Sequence, residues 1–576
     1  MDTRRLMLLG VFLFSLFMLW DAWQKAQHAP VAADAAVSAS ADGAPVAVRQ
    51  SRDGAPIPEA TRNLRGAGQQ AEVLASALPE DAPAESIFVE TDLVRAEIST
   101  RGGDLVWLGL KNYQANGQGE DKEPFTLFSD VHLYHAQSGL IGGEGAELPN
   151  HKTFLVALPG PRDLADGADT LEIRLAAPLM DDVRATKVYT FHRGSYLIDV
   201  SWEIENGRDA PLTPDAYFQL QRDGESPEGK SFFLVTFTGA AVYTDAGKYQ
   251  KVSYADIVKG EARFARQADD GWLAMVQHYF VTAWAPQGDT LREFFMRKIG
   301  QTKDGHDLFT AGVILPVDRI ASGQTGKISV PLFAGPQEQS ALKAVAPGLD
   351  LVVDYGWLHI IAAPLFWVLE FINKLTGNWG WSIVVLTVLI KLIFYPLSAA
   401  SYRSMAKMRV LTPRLMQLKE RYADDKAKMN QEMMKLYQTE KVNPLGGCLP
   451  ILVQIPVFIA LYWVLLGAVE MRGAPWLLWI RDLSVADPYY VLPVVMMASM
   501  FVQIRLNPTP PDPIQAKMML IMPLVFGVMF FFFPAGLVLY WVVNNLLSIA
   551  QQWHINRMLD PVHKAKQKQA ANDQNI

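Results

Sequence analysis

The chain has 576 residues, 50% of them hydrophobic, with 52 Lys+Arg against 59 Asp+Glu for a net charge of −7, and a single cysteine, Cys448. That length exceeds one ordinary domain, and a lone cysteine excludes an intrachain disulfide framework. The charge is unevenly divided: residues 351–576 hold 20 Lys+Arg and 13 Asp+Glu, a net of +7, which leaves −14 for residues 1–350.

The first segment, residues 1–26, opens with Arg4 and Arg5 ahead of an apolar run and ends near Trp20 and Trp23. It resembles a signal peptide, but no Ala-x-Ala-like cleavage site follows closely, so it reads as an uncleaved transmembrane anchor over 6–23 with its start inside. Residues 27–84 are rich in Ala, Pro, Gly, Ser and Asp, a composition that cannot bury a core, and read as a flexible tether. Residues 85–345 carry short alternating runs rich in β-branched and aromatic residues, bounded by Gly, Pro and Asp. They include 87–91, 93–100, 170–178, 186–191, 196–205, 272–286, 308–316 and 326–335. The pattern predicts a large all-β domain, a sandwich or barrel.

Beyond Pro347 the chain turns apolar. Spans are expected at about 380–398, 447–467, 489–504, 518–533 and 537–553. The basic loop 398–446 and the basic tail 561–576 belong inside by the positive-inside rule. Counting 6–23 as the first of six passes then puts the β domain outside. Within residues 350–376, the stretch Asp354–Lys374 is nearly long enough to cross, but a further pass would carry the basic loop outside. With Leu358, Ile361, Leu365, Leu369 and Ile372 at helical spacing, the segment reads as an amphipathic helix lying in the outer interface. In the basic loop, Met405, Met408, Leu411, Leu415 and Leu418 form one helical stripe and Met429, Met433 and Leu436 a second, predicting a helical hairpin broken at Tyr422–Asp425. Its Met-rich face suits either a solvated hairpin or an adaptable partner surface.

Enzyme motifs are wanting. Gly224–Ser231 matches the phosphate-loop pattern literally, but the apolar run after it reads as a strand rather than the required helix, and Glu225 and Glu228 would repel phosphate. His132 and His135 lack further ligands at metal spacing, and neither a G-x-S-x-G nor a dinucleotide fingerprint in context occurs. Neither a cofactor nor a metal is expected.

Lys391 lies in the apolar run of residues 380–397 with no acid beside it. A charge at the bilayer centre costs about 2.5–3.5 kcal/mol on insertion scales, which makes such residues functional candidates. Snorkelling toward the headgroups is the alternative for this residue taken alone. Thr387 is four residues earlier on the same helix face. Further polar residues inside the spans are Ser382, Gln454, Gln503, Asn544, Asn545 and Ser548; interhelical hydrogen bonding accounts for some residues of this kind.

Together, the DYGWL run at 354–358, NWGWSIVVLT at 378–387, YRSMAKMRVLTP at 402–413, EKVNPLGGCLPILVQIPVFIALYW at 440–463, DPYYVLP at 487–493 and FPAGLVLYWVVNNLLSIAQQ at 533–552 resemble the YidC/Oxa/Alb membrane-protein insertases of the six-span Gram-negative type. That resemblance implies a polytopic α-helical membrane protein, with a five-helix insertase core over 377–560 and an N-terminal anchor helix, plus a large all-β periplasmic sandwich similar to sugar mutarotases. It implies residence in the bacterial inner membrane with both termini cytoplasmic, and no enzymatic activity. The implied groove is hydrophilic, opens to cytoplasm and lipid, and carries one cation, usually Arg; Lys391 holds that position here. Thr387, Gln454, Tyr540 and Trp541 fall at groove-lining positions, Trp541 where a tyrosine is common. The implied partners are nascent membrane proteins, the Sec translocon, ribosomes and the lipid bilayer, with no DNA. Other readings of the residues are a secondary transporter, disfavoured because the spans lack an acid–base relay and an inverted repeat, and a membrane-anchored carbohydrate-binding protein or enzyme.

Overall fold

The computed structural model describes residues 84–115, 123–143, 145–225, 237–422, 425–440, 449–506 and 513–573. The expected anchor at 6–23, the tether up to residue 83 and most of the phosphate-loop look-alike (226–231) lie outside the described residues.

Among the described residues the β domain is a sandwich of two nine-stranded antiparallel sheets. Along the first, the strands run Ser86–Glu90, Val94–Ser99, Leu105–Gln114, His135–Gly142, Pro214–Asp223, Asp307–Pro316, Arg292–Gln301 and Gln267–Ala268, with Pro124–Phe128 paired to Leu105–Gln114. Along the second they run Lys248–Ser253, Gly239–Thr244, Trp272–Val276, Phe280–Trp284, Thr325–Pro336, Leu197–Asn206, Val183–His192, Thr170–Ala176 and Val156–Ala157. Period-2 alternation sets the faces: Leu171, Ile173 and Leu175 turn inward while Thr170 and Glu172 stay exposed. Trp202, Phe218, Leu220, Val313 and Leu332 fill the space between the sheets. The expected single run 272–286 is instead a hairpin of two strands, turned at Gln277–Tyr279. This turn lacks the Gly, Asn or Asp that normally announces one.

Among the described residues there are ten α-helices. Helix α1 (Tyr254–Lys259) and helix α2 (Gln339–Val345) accompany the sandwich. The rest are α3 (His359–Thr376), α4 (Trp379–Ile393), α5 (Tyr395–Arg421), α6 (Lys426–Thr439), α7 (Leu449–Gly467), α8 (Val491–Leu506), α9 (Pro513–Phe530) and α10 (Ala535–Asp573). Gly377, in the left-handed region at φ 65°, ends α3, and Asn378 caps α4 by accepting from the Trp381 backbone N–H. The expected continuous span 380–398 is corrected. Helix α4 stops at Ile393, and with α5 it forms a pair bent by 66°. Pro396 in the first turn of α5 has no N–H to continue the preceding ladder, so the chain restarts in a new direction. Among the described residues no single helix is long and apolar enough to cross a membrane, although this bent pair qualifies by length and composition.

Helix α3 departs from a simple amphipathic pattern. Ala362, Phe366, Leu369 and Ile372 are buried against the rest of the protein, yet Ile360, Trp367, Phe371 and Leu375 on other sides are exposed. It is apolar on two faces, with Glu370 and Lys374 paired at 3.0 Å. In the basic loop, Leu411 and Leu415 of α5 pack with Met408 and with Met433, Leu436 and Tyr437 of α6.

The sandwich and the helices are joined by apolar and cationic contacts. Val469, in the loop after α7, is fully buried in the sandwich core. The Arg472 guanidinium lies 4.9 Å from the centroid of the Phe125 ring and 5.6 Å from those of Tyr279 and Phe280, and it donates to the Gln114 carbonyl at 3.0 Å. Beside it Glu470 is held half-buried, and desolvation pushes its carboxyl up to about 7, with Glu338 and Glu370 adding repulsion.

Candidate functional site

Helix α10 carries Tyr540, Asn544 and Ser548 at successive i, i+4 positions, which puts all three on one face. Between them they bond to three other helices. The Tyr540 hydroxyl is hydrogen-bonded to Gln454 of α7. Gln454 Nε2 in turn donates to Asn544 Oδ1 at 2.8 Å. One turn further on, the Lys391 ammonium of α4 donates to Ser548 Oγ at 2.8 Å. Ser548 donates its own proton to the Asn544 carbonyl at 2.7 Å and is bonded to the Tyr402 hydroxyl of α5. A single polar ladder thus ties α4, α5 and α7 to α10 through buried or half-buried groups.

Lys391 has no acidic partner among the described residues. Its ammonium is half-buried, with one of its three donors satisfied by Ser548. An unneutralised cation on a polar track in an apolar bundle can receive an anionic group, and a cation tied to one helix by a neutral hydroxyl keeps its full charge for that purpose.

The residues singled out from sequence fare differently. Lys391, Gln454 and Tyr540 are joined by the ladder. Trp541 borders it through aromatic contacts, with its ring 4.6 Å from Phe458 and 5.6 Å from Phe530; Phe458 also stacks on Tyr540. Thr387 is buried on α4 one turn before Lys391, and its hydroxyl donates back to the Ile383 carbonyl at 2.7 Å, which takes it out of the ladder. Asn545, one residue round the helix, bonds to Ser499 of α8 at 3.2 Å and serves helix packing. Ser548 and Asn544 stand out from sequence only as polar interruptions of the last span. Their spacing from Tyr540 was the signal that connects them to the site. Tyr402 had no such signal, because its position depends on the direction of the bend at Phe394.

The amino-terminal part of the chain, residues 86–368, matches the family model of the YidC periplasmic domain, and residues 371–564 match that of the 60Kd inner membrane protein. A membrane protein insertase YidC of Dechloromonas aromatica is 60% identical over 98% of this chain and 99% of its own length. That of Aromatoleum aromaticum is 56% identical over 97% of this chain and 98% of its own, and that of Nitrosospira multiformis 50% identical over 99% and 100%. The chain belongs to the YidC family of membrane protein insertases. Membership makes it a non-enzymatic inner-membrane protein that integrates other membrane proteins into the bilayer, and the β sandwich is the YidC periplasmic domain.

Proposed function

We propose that the ladder centred on Lys391 lines a hydrophilic groove, open to the cytoplasm and to lipid, in which a nascent membrane segment is received before it partitions into the bilayer. The observation that carries this is the Lys391–Ser548 bond, which holds a bare cation among apolar helices without neutralising it. Acidic residues of an outward-moving segment are drawn to the ammonium, while apolar residues leave for lipid at about 25 cal/mol per Å² buried. Each negative charge that moves outward also gains about 2.3 kcal/mol per 100 mV of an inside-negative potential. Short helices assist: α8, with 16 residues, is about 24 Å long at helical rise, against a hydrocarbon core of about 30 Å, so the bilayer thins beside it.

In this reading the chain divides into an anchor at 1–26, a tether at 27–84, the sandwich at 85–345, an interfacial helix at 350–376, the core at 377–560 and a tail at 561–576. Five core spans and the anchor cross the membrane, the bent α4–α5 pair supplying one of them. Both termini, the hairpin 398–446 and the tail are cytoplasmic, and the sandwich is periplasmic. The concentration of basic residues in the hairpin and tail supports that orientation. The protein works alone and beside the Sec translocon, with ribosomes as cytoplasmic partners.

A photocrosslinker placed at Gln454 tests the groove. With ribosome-bound chains of a small membrane protein, it should capture the segment due to be translocated. Capture of lipid alone, from a protein that still inserts that substrate, would remove the groove from this part of the molecule.

A further inference from the structure

The loop between α7 and α8 has an apolar tip that is both exposed and rigid. Residues 475–480 read Pro-Trp-Leu-Leu-Trp-Ile. Leu477 is 46% and Leu478 78% exposed, whereas Ala474, Ile480 and Leu483 on either side are buried. The turn is closed by backbone bonds from Trp476 N–H to the Ile480 carbonyl, from Ile480 N–H to the Leu477 carbonyl and from Leu483 N–H to the Ala474 carbonyl. Leu478 stands in the left-handed region at φ 55°, unusual for a branched side chain, so the surroundings impose this turn.

Two staples fix its direction. Trp476 packs on the bare Cα of Gly380, where an added Cβ would come within 2.2 Å of the indole, and its ring meets Trp381 edge-on at 5.9 Å. Asn378, in the turn between α3 and α4, donates to the Pro475 carbonyl at 2.9 Å. That bond makes the tip continuous with the exposed apolar side of α3, which ends in Phe371 and Leu375. On the other flank Trp479 meets the exposed Tyr489 at 6.3 Å. Within residues 474–490 both acids, Asp482 and Asp487, are buried, and the one base, Arg481, is exposed.

We propose that this Trp-Leu-Leu-Trp turn is a fixed non-helical anchor that seats in the outer leaflet of the bilayer, with Leu477 and Leu478 among the acyl chains, Trp479 and Tyr489 at headgroup level and Arg481 on lipid phosphate. It rests on the reading of α3 as an interfacial helix on the outer side and extends that surface across the mouth of the bundle. Lipid is the occupant that the composition fits: neutral aliphatic residues at the tip, aromatic residues around it and a cation rather than an acid exposed. A loop free in water has no use for a rigid pair of exposed leucines. Held at this depth, the turn fixes how far the outer ends of α4 and α8 sit in the membrane, and so how short a path the groove leaves.

The test uses the full chain in vesicles of phosphatidylcholine and phosphatidylglycerol, in a Cys448→Ser background, with an environment-sensitive fluorophore on Leu478→Cys. A second protein carries the fluorophore on Phe371→Cys in α3. Nitroxide attached to the lipid acyl chain should quench both labels, and aqueous iodide neither. If only the label at 478 is quenched by iodide, the anchor is wrong and the interfacial helix stands. If both labels are, the reading of α3 fails as well. A label at 478 shielded from both quenchers is covered by protein, which also overturns the lipid anchor.

Discussion

Replacing Ser548 by alanine separates the position of the groove cation from its charge. The change leaves Lys391 in place and removes the oxygen that holds its ammonium at 2.8 Å. The serine proton is given to the Asn544 carbonyl within the same helix, so its loss costs the fold little. A hydrogen bond from a charged donor contributes about 1.5–3 kcal/mol in soluble proteins. Interhelical bonds in membranes average about 0.6 kcal/mol and reach about 1.7. Taking about 1–1.7 kcal/mol, the fraction of Lys391 held on the ladder falls roughly 5–20-fold. The assay is the initial rate of insertion into vesicles containing purified protein, for one substrate with an acidic translocated segment and one with a neutral segment. The acidic substrate should slow by up to that factor and the neutral one much less, with Ser548→Thr restoring both because the hydroxyl returns. Equal slowing of both substrates together with a lowered melting temperature would show that Ser548 only braces the helices. Wild-type rates for both would show that the ladder does not position the cation.

Two further outcomes follow from the same structure. The α5–α6 hairpin closes its own apolar cluster around Leu411 and Leu415, so exchanging residues 405–440 for a short flexible linker should reduce insertion while the thermal transition of the remaining helices is unchanged; ordinary insertion without it refutes a receiving role. Glu470 has a folded-state pKa of about 7, above its ordinary value of 4.5, because burial favours the neutral acid. The folded protein therefore holds that proton after the unfolded chain has lost it, and stability falls as pH rises from about 4.5 to about 7, by at most about 1.4 kcal/mol per pH unit. Melting curves across that window should show the decline in the natural protein and a flatter profile in Glu470→Gln; parallel profiles would mean the carboxyl is solvated.

Legibility from sequence followed the range of the interactions. Lys391 could be recognised from a local rule, a charge in an apolar run. Strands such as Thr170–Ala176 and Thr325–Pro336 announce themselves by alternation. Pro214–Asp223 does not, because its polar face is buried as well: Gln219 donates to Gln137, which donates to Asp104 at the buried Lys187. That polar interior depends on strands far apart in sequence. The bend at Phe394 has its proline in plain view, yet only the packed structure gives its 66° and brings Tyr402 to Ser548. Thr387 is one helical turn before Lys391 on α4, but its hydroxyl donates to the nearer Ile383 carbonyl. The exposed face of α3 was unexpected because its inward stripe already accounted for helical periodicity.

The central claim, that the cation at 391 recognises the charge of the arriving segment, is tested most directly by exchanging charges. Lys391→Glu and Lys391→Arg are each reconstituted at wild-type level and given two versions of one small membrane protein, whose translocated segment carries either acidic or basic residues, with no membrane potential applied. The Arg variant should insert the acidic version as the natural protein does. The Glu variant should lose the acidic version and retain or gain the basic one, since attraction has become repulsion and the reverse. Insertion of the acidic version by the Glu variant at the natural rate would contradict the account.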